Sequence, residues 1–196
     1  MIDQTKEFID SIRYSVDSLD IKKINKIKGL IKNIQKKNGR IFFLGVGGSA
    51  ANAAHAVNDF RKLCNIECYS PSDNISELTA RINDEGWDSS YLEWLKVSKL
   101  NSKDLIFILS VGGGSLTKKV SINLIKSIIY AKSKNANVCG IIGKKDGYLN
   151  KKFKENTLVI NTNNSKFTTP IVESFQSLIW HLLVTDTNIS VNKTKW

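Results

Sequence analysis

Two runs in this chain leave little choice of fold. Asp104-Leu-Ile-Phe-Ile-Leu-Ser110 and Arg40-Ile-Phe-Phe-Leu44 carry apolar residues without alternation. A strand with one wet face alternates apolar and polar side chains. A strand that is apolar throughout is covered on both faces, as in a parallel sheet held between layers of helices. Each run ends in a glycine-rich loop, Gly45-Val-Gly-Gly-Ser-Ala50 after the first and Ser110-Val-Gly-Gly-Gly-Ser115 after the second. In such sheets ligands bind beyond the carboxyl ends of the strands, which is where both loops fall.

The remaining pattern agrees. Helices are predicted over 2–18 and 21–38, before any strand. Strands and helices then alternate: a helix over Ser49–Leu63, a short strand Glu67–Ser70, a helical piece through Glu77–Arg81, and a helix over Asp88–Leu100. After the second apolar run come a helix Leu116–Lys134, strands Val138–Ile142 and Leu158–Ile160, a final helix Val172–Val184 and a polar tail. This order predicts an α/β protein, a three-layer α-β-α sandwich with a mainly parallel sheet. The 196 residues fit a single domain, with 1–38 as leading helices, 39–185 as core and 186–196 as tail.

The net charge of +11 raises the question of nucleic acid. Its densest part, Lys22 to Arg40, holds eight basic residues and no acid. The same segment carries Ile21, Ile24, Ile27, Leu30, Ile31 and Ile34 at helical spacing, so it reads as an amphipathic helix with a solvated lysine face. No nucleic-acid motif accompanies it, and no nucleic-acid partner is expected. No apolar run is long enough to span a membrane. The N-terminus lacks the apolar centre of a signal peptide. The three cysteines show no framework spacing, which points to a reducing, cytoplasmic setting. Cys64 and Cys68 have no second Cys/His pair and read as packing residues.

Neither glycine loop is a nucleotide fingerprint. The first lacks the G-x-G-x-x-G spacing, and neither has the Gly-Lys-Ser/Thr of a triphosphate site. Two loops with serines, both after strands, predict a phosphorylated ligand smaller than a dinucleotide. The chain's two histidines lie on helices, each with a carboxylate. His55 and Asp59 are four apart and share a face, and so do Glu173 and His181, eight apart. Such a set fits a divalent metal or acid–base proton transfer.

Together, Gly45–Ala50 with its histidine helix, Leu78-Thr79-Ala80 with Asn83-Asp84, Ser110–Ser115 and the Glu173/His181 helix resemble the sedoheptulose-7-phosphate isomerases. These phosphoheptose isomerases have the sugar isomerase (SIS) fold. The likeness runs from about residue 40 to about residue 185, and the two leading helices also fit. The resemblance implies one zinc ion per subunit, held by His55, Asp59, Glu173 and His181. It implies substrate contacts at Val46, Gly47, Gly48, Ser49, Asn83 and Asp84, with phosphate on Ser110, Val111, Gly112 and Ser115. It also implies a homotetramer with active sites at subunit interfaces, and the leading helices are expected to join those interfaces. Five positions depart from the family pattern. Asp59 stands for a glutamate, Glu173 for a glutamine and Val46 for an asparagine, while Val111 and Gly112 stand for hydroxyl residues.

The implied reaction converts sedoheptulose 7-phosphate to D-glycero-D-manno-heptose 7-phosphate through an enediol, on the way to nucleotide-activated heptose and surface polysaccharide. Asp59 or Glu173 is the expected base and His181 the expected acid/base. The competing readings are a sugar-phosphate sensor of the same fold without chemistry, and an isomerase of another sugar phosphate.

Overall fold

Every residue of the strand Leu105–Ser110 is buried, as its unbroken apolar run requires. It lies at the centre of a five-stranded sheet in a computed structural model that describes residues 3–193. In chain order the elements are α1 (Gln4–Asp17), α2 (Ile21–Lys36), β1 (Ile41–Leu44), α3 (Gly48–Cys64) and β2 (Cys68–Tyr69). Next come α4 (Ile75–Glu85), α5 (Trp87–Val97), β3 (Leu105–Ser110), α6 (Ile122–Ser133) and β4 (Asn137–Ile142). The last are α7 (Tyr148–Phe153), β5 (Thr157–Val159) and α8 (Thr168–Val184). The strand order is β2-β1-β3-β4-β5, and all four pairings are parallel. Residue 2 of the expected first helix and 194–196 of the expected tail lie outside the described residues.

The period of two along each strand divides the core. Ile41, Phe43, Leu105, Phe107, Leu109, Cys139 and Ile141 pack with buried residues of α2, α3 and α8. Phe42, Leu44, Ile106, Ile108 and Val138 pack with those of α5 and α6. This is the expected three-layer sandwich of the SIS fold.

The two leading helices differ in how they spend their apolar residues. α2 buries Ile24, Ile27, Ile31 and Ile34 in its own chain's core. Its stripe is therefore already covered. α1 covers only part of its stripe, with Phe8 and Ile12 packed against the same core. It buries Ser11 and Ser15, and the Ser15 hydroxyl donates to the Asn161 carbonyl at 2.8 Å. Ile9, Tyr14 and Val16 are left exposed.

The sequence reading departs from the structure in several places, among them the last helix, which starts at Thr168 rather than Val172. The helix expected from Leu116 begins only at Ile122. Ser115 and Val120 instead exchange two backbone bonds of 3.0 Å each, and Lys119 and Ser121 adopt left-handed φ values of 50° and 53°. A helix cannot pass through that turn. α7 was not foreseen, because its single turn and a half carries too little periodicity. The strand expected over Glu67–Ser70 shrinks to Cys68–Tyr69, on the sheet edge.

Candidate active site

α3 and α8 pack side by side and run parallel, and polar rungs join them. At the start of α3 the Ser49 hydroxyl donates to Glu173 Oε1 at 3.3 Å. One turn on, the Asn52 amide donates to the Glu173 carbonyl at 2.9 Å and to Gln176 Oε1 at 3.1 Å. Next, the His55 ring meets Trp180 edge-on at 4.6 Å between centroids. Last, Asp59 Oδ2 lies 3.8 Å from Nε2 of both His55 and His181.

That last rung can hold a metal. His55, Asp59 and His181 each offer one ligand atom, and these atoms all lie within 4.8 Å of one another. The donors of a tetrahedral zinc site are separated by about 3.4 Å, given zinc–nitrogen bonds near 2.0–2.1 Å, so little movement is needed. The tautomer also fits. His181 Nδ1 lies 2.8 Å from the Ser177 carbonyl, which can only accept. Nδ1 therefore carries the proton, and the lone pair is left on Nε2, facing Asp59. Asp59 Oδ1 accepts from the Asn58 amide at 2.8 Å, which leaves Oδ2 for the histidines. Cys64 is one turn beyond Asp59, but burial, helped by the Asp59 charge, pushes its thiol up to about 12. It is not among the ligand atoms that lie within 4.8 Å of one another. Burial likewise raises Cys68 and Cys139.

Glu173 lies outside this group. Its carboxylate sits over the first turn of α3, at the other end of the paired helices. A Cβ on Gly48 would stand 2.5–2.8 Å from the Glu173 carboxylate atoms, so a larger residue there would displace that carboxylate. Gly48, Asn52, Pro170, Glu173, Ser174 and Ser177 line an open cavity of about 550 Å³ there.

The first glycine loop is braced from the opposite layer. The buried Tyr91 hydroxyl, pushed up to about 12 by burial, donates to the Gly45 carbonyl at 2.7 Å. Tyr91→Phe leaves that carbonyl without its partner and is expected to cost about 1–2 kcal/mol in chemical denaturation. A loss below a few tenths would show that the bond does not brace the loop. Gly47, at φ 63°, turns the chain into α3. Val46 is half-buried and packs against the α5–α6 core.

In the second loop Gly113 and Gly114 have φ of 70° and 82°. The Gly113 amide donates to Ser110 Oγ at 3.0 Å. Among the described residues the Gly112 and Gly114 amides meet no acceptor within the chain. Backbone amides beside left-handed glycines can form an anion seat. Ser115 Oγ accepts from the Lys118 amide at 3.2 Å and lies 3.2 Å from Thr117 Oγ1. Asn83 and Asp84 are exposed on α4, where the Asn83 amide donates to Asp84 Oδ1 at 2.7 Å. α4 itself buries no residue.

Asn52, Gln176, Tyr91 and Thr117 were missed in the sequence. Asn52 could have been found, since it lies three residues before His55 on the same face. Tyr91 gave no local signal.

The fold and site define a class, a SIS-fold protein with a glycine- and serine-rich loop after β3 and a histidine–aspartate group. No family model matches the chain. It is 25% identical over 186 residues to a phosphoheptose isomerase of Helicobacter pylori (strain P12), covering 91% of this chain and 90% of that protein. It is 30% identical over 155 residues to the lincomycin biosynthesis protein LmbN of Streptomyces lincolnensis, covering 74% of this chain but only 54% of that protein. Its fold superposes on phosphoheptose isomerase GmhA from Neisseria gonorrhoeae with a TM-score of 0.78 at 20% identity, over 92% of this chain and 93% of the other. In sequence and in fold the chain is similar to the phosphoheptose isomerases. No helix among the described residues is long and apolar enough to cross a membrane.

Proposed function

We propose that the protein is a cytoplasmic aldose–ketose isomerase acting on sedoheptulose 7-phosphate, with a zinc ion on His55, Asp59 and His181. The observation that carries this reading is the convergence of those three side chains from two helices of a SIS fold. When bound, the metal would supply a Lewis acid for a carbonyl oxygen. Around it the chain's own groups bind and move protons. The amides of Gly112 and Gly114, with Ser110 and Ser115, seat the phosphate. Ser49 and Glu173 face the sugar, while His181, with Nε2 toward the metal and Nδ1–H on the Ser177 carbonyl, serves as a ligand rather than as the acid/base.

One chain alone does not bring these parts together. Gly48 and Asp59 are eleven residues apart on α3, about 16 Å of helix rise, and Glu173 and His181 about 12 Å. A seven-carbon sugar phosphate spans about 10 Å at ~1.5 Å per bond. Sharing of each site by two copies accounts for the gap. α8 exposes Ser174, Leu178, His181 and Leu182 as one stripe. A two-fold axis near Ser177 would set His181 opposite the partner subunit's Glu173. Glu173 would then be the base, while Asp59 stays with the metal. Such pairing on α8, with the exposed apolar residues of α1 meeting a further copy, supports a homotetramer.

Incubation with sedoheptulose 7-phosphate and a search for the aldoheptose tests the proposal. Tight binding without product would instead favour the sensor. Product from a different sugar phosphate alone would favour the other isomerase.

A further inference from the structure

The loop after β4 is stitched to the loop after β3. The Gly143 amide donates to the Val111 carbonyl at 2.9 Å, Leu149 to Gly113 at 3.0 Å, and Tyr148 to Gly114 at 2.9 Å. A Cβ on Gly147 would lie 2.4 Å from the Gly112 carbonyl, so the two loops touch at glycine. Three carbonyls of the Ser110–Ser115 loop are thereby occupied by the β4–α7 segment, while the Gly112 and Gly114 amides meet no acceptor among the described residues.

Within the stitch, Gly147 donates its amide to the Lys144 carbonyl at 3.1 Å and closes a turn. Lys144 sits at the base of that turn, next to Gly143 and its bond to Val111. Lys145 is at the tip. Both are exposed, and among the described residues neither forms an ion pair, even with Asp146 of the same turn. The loop itself offers a dianion only neutral donors. Val111 and Gly112 bring no hydroxyl, which leaves the single O–H of Ser110, whose oxygen accepts from Gly113, as the donor at the start of the loop. A cation at the edge of the seat would add a charge-assisted bond where those hydroxyls are missing.

We propose that Lys144, carried by the β4–α7 turn, is the cationic contact of the ligand's phosphate. This rests on the reading that the Ser110–Ser115 loop holds that phosphate. Titration calorimetry with sedoheptulose 7-phosphate and with unphosphorylated sedoheptulose tests it on the parent, Lys144→Gln, Lys144→Arg, Lys145→Gln and Lys118→Gln. Lys144→Gln is expected to raise Kd for the phosphorylated sugar about tenfold or more and to leave the unphosphorylated sugar unchanged. Lys144→Arg is expected within about threefold of the parent and Lys145→Gln within about twofold, because arginine keeps the charge and Lys145 is one residue further along the turn from the Gly143–Val111 bond. A Lys144→Gln Kd within about twofold of the parent, or a loss confined to Lys118→Gln, overturns the assignment. If the parent binds both sugars equally, the phosphate-loop reading fails, and the assignment with it.

Discussion

Protein purified without chelator and dialysed against zinc is expected to hold close to one ion per chain, and His55→Ala combined with His181→Ala to hold almost none. The reason is geometric. Both imidazole Nε2 atoms lie 3.8 Å from one carboxylate oxygen, and His181 is fixed in the metal-ready tautomer by the Ser177 carbonyl. Removing two of three nitrogen and oxygen donors leaves no site, since a lone carboxylate holds zinc weakly. The histidine side chains are 57% and 47% exposed, so the double variant keeps its core, and its circular dichroism is expected to match the parent. Asp59→Asn should lose metal as well, because an amide cannot replace the charge. Glu173→Gln should keep it, because Glu173 stands at the far end of α8. Metal content unchanged in the double histidine variant would mean that the group is only a surface cluster.

The second expectation concerns turnover. Glu173→Gln alone and Asp59→Asn alone should each lose most activity, the first by losing the base and the second by losing the metal. If each site takes Glu173 from one copy and the His55–Asp59–His181 group from another, the two inactive variants complement each other. Mixed and reassembled in equal amounts, half of the two-fold pairs join one chain of each kind. In such a pair one site receives both intact parts and the other receives both damaged ones. Activity should return to about a quarter of the parent's, the statistical share for sites across a two-fold axis. No recovery, with subunit exchange verified by mass spectrometry, would place all the parts in one chain. Glu173→Gln turning over as well as the parent would leave Asp59 as the base.

The continuous apolar runs at Arg40–Leu44 and Asp104–Ser110 carried the sheet, because burial on both faces is written directly into composition. The same holds for α3 and α8, whose histidines and carboxylates sit at helical spacing. What the chain's periodicity did not carry is which turns of α3 and α8 meet. Glu173 and His181 share a face, yet face and rung are different things, and only the packing shows Glu173 beside Gly48 and His181 beside Asp59. The Ser115–Val120 turn was read as helix because Lys119 and Ser121 are not glycines and gave no warning of their left-handed backbone. Tyr91 was invisible as a site residue because its bond to Gly45 spans forty-six positions.

The chemistry itself is open to one direct measurement. Sedoheptulose 7-phosphate incubated with the zinc-loaded protein in D₂O, followed by proton and deuterium NMR, reports where the migrating proton comes from. A base that takes the C1 proton exchanges it with solvent before returning one to C2. The account therefore predicts aldoheptose 7-phosphate with deuterium at C2. Failure to form aldoheptose, or an aldoheptose carrying only the original proton at C2 throughout the time course, would contradict it.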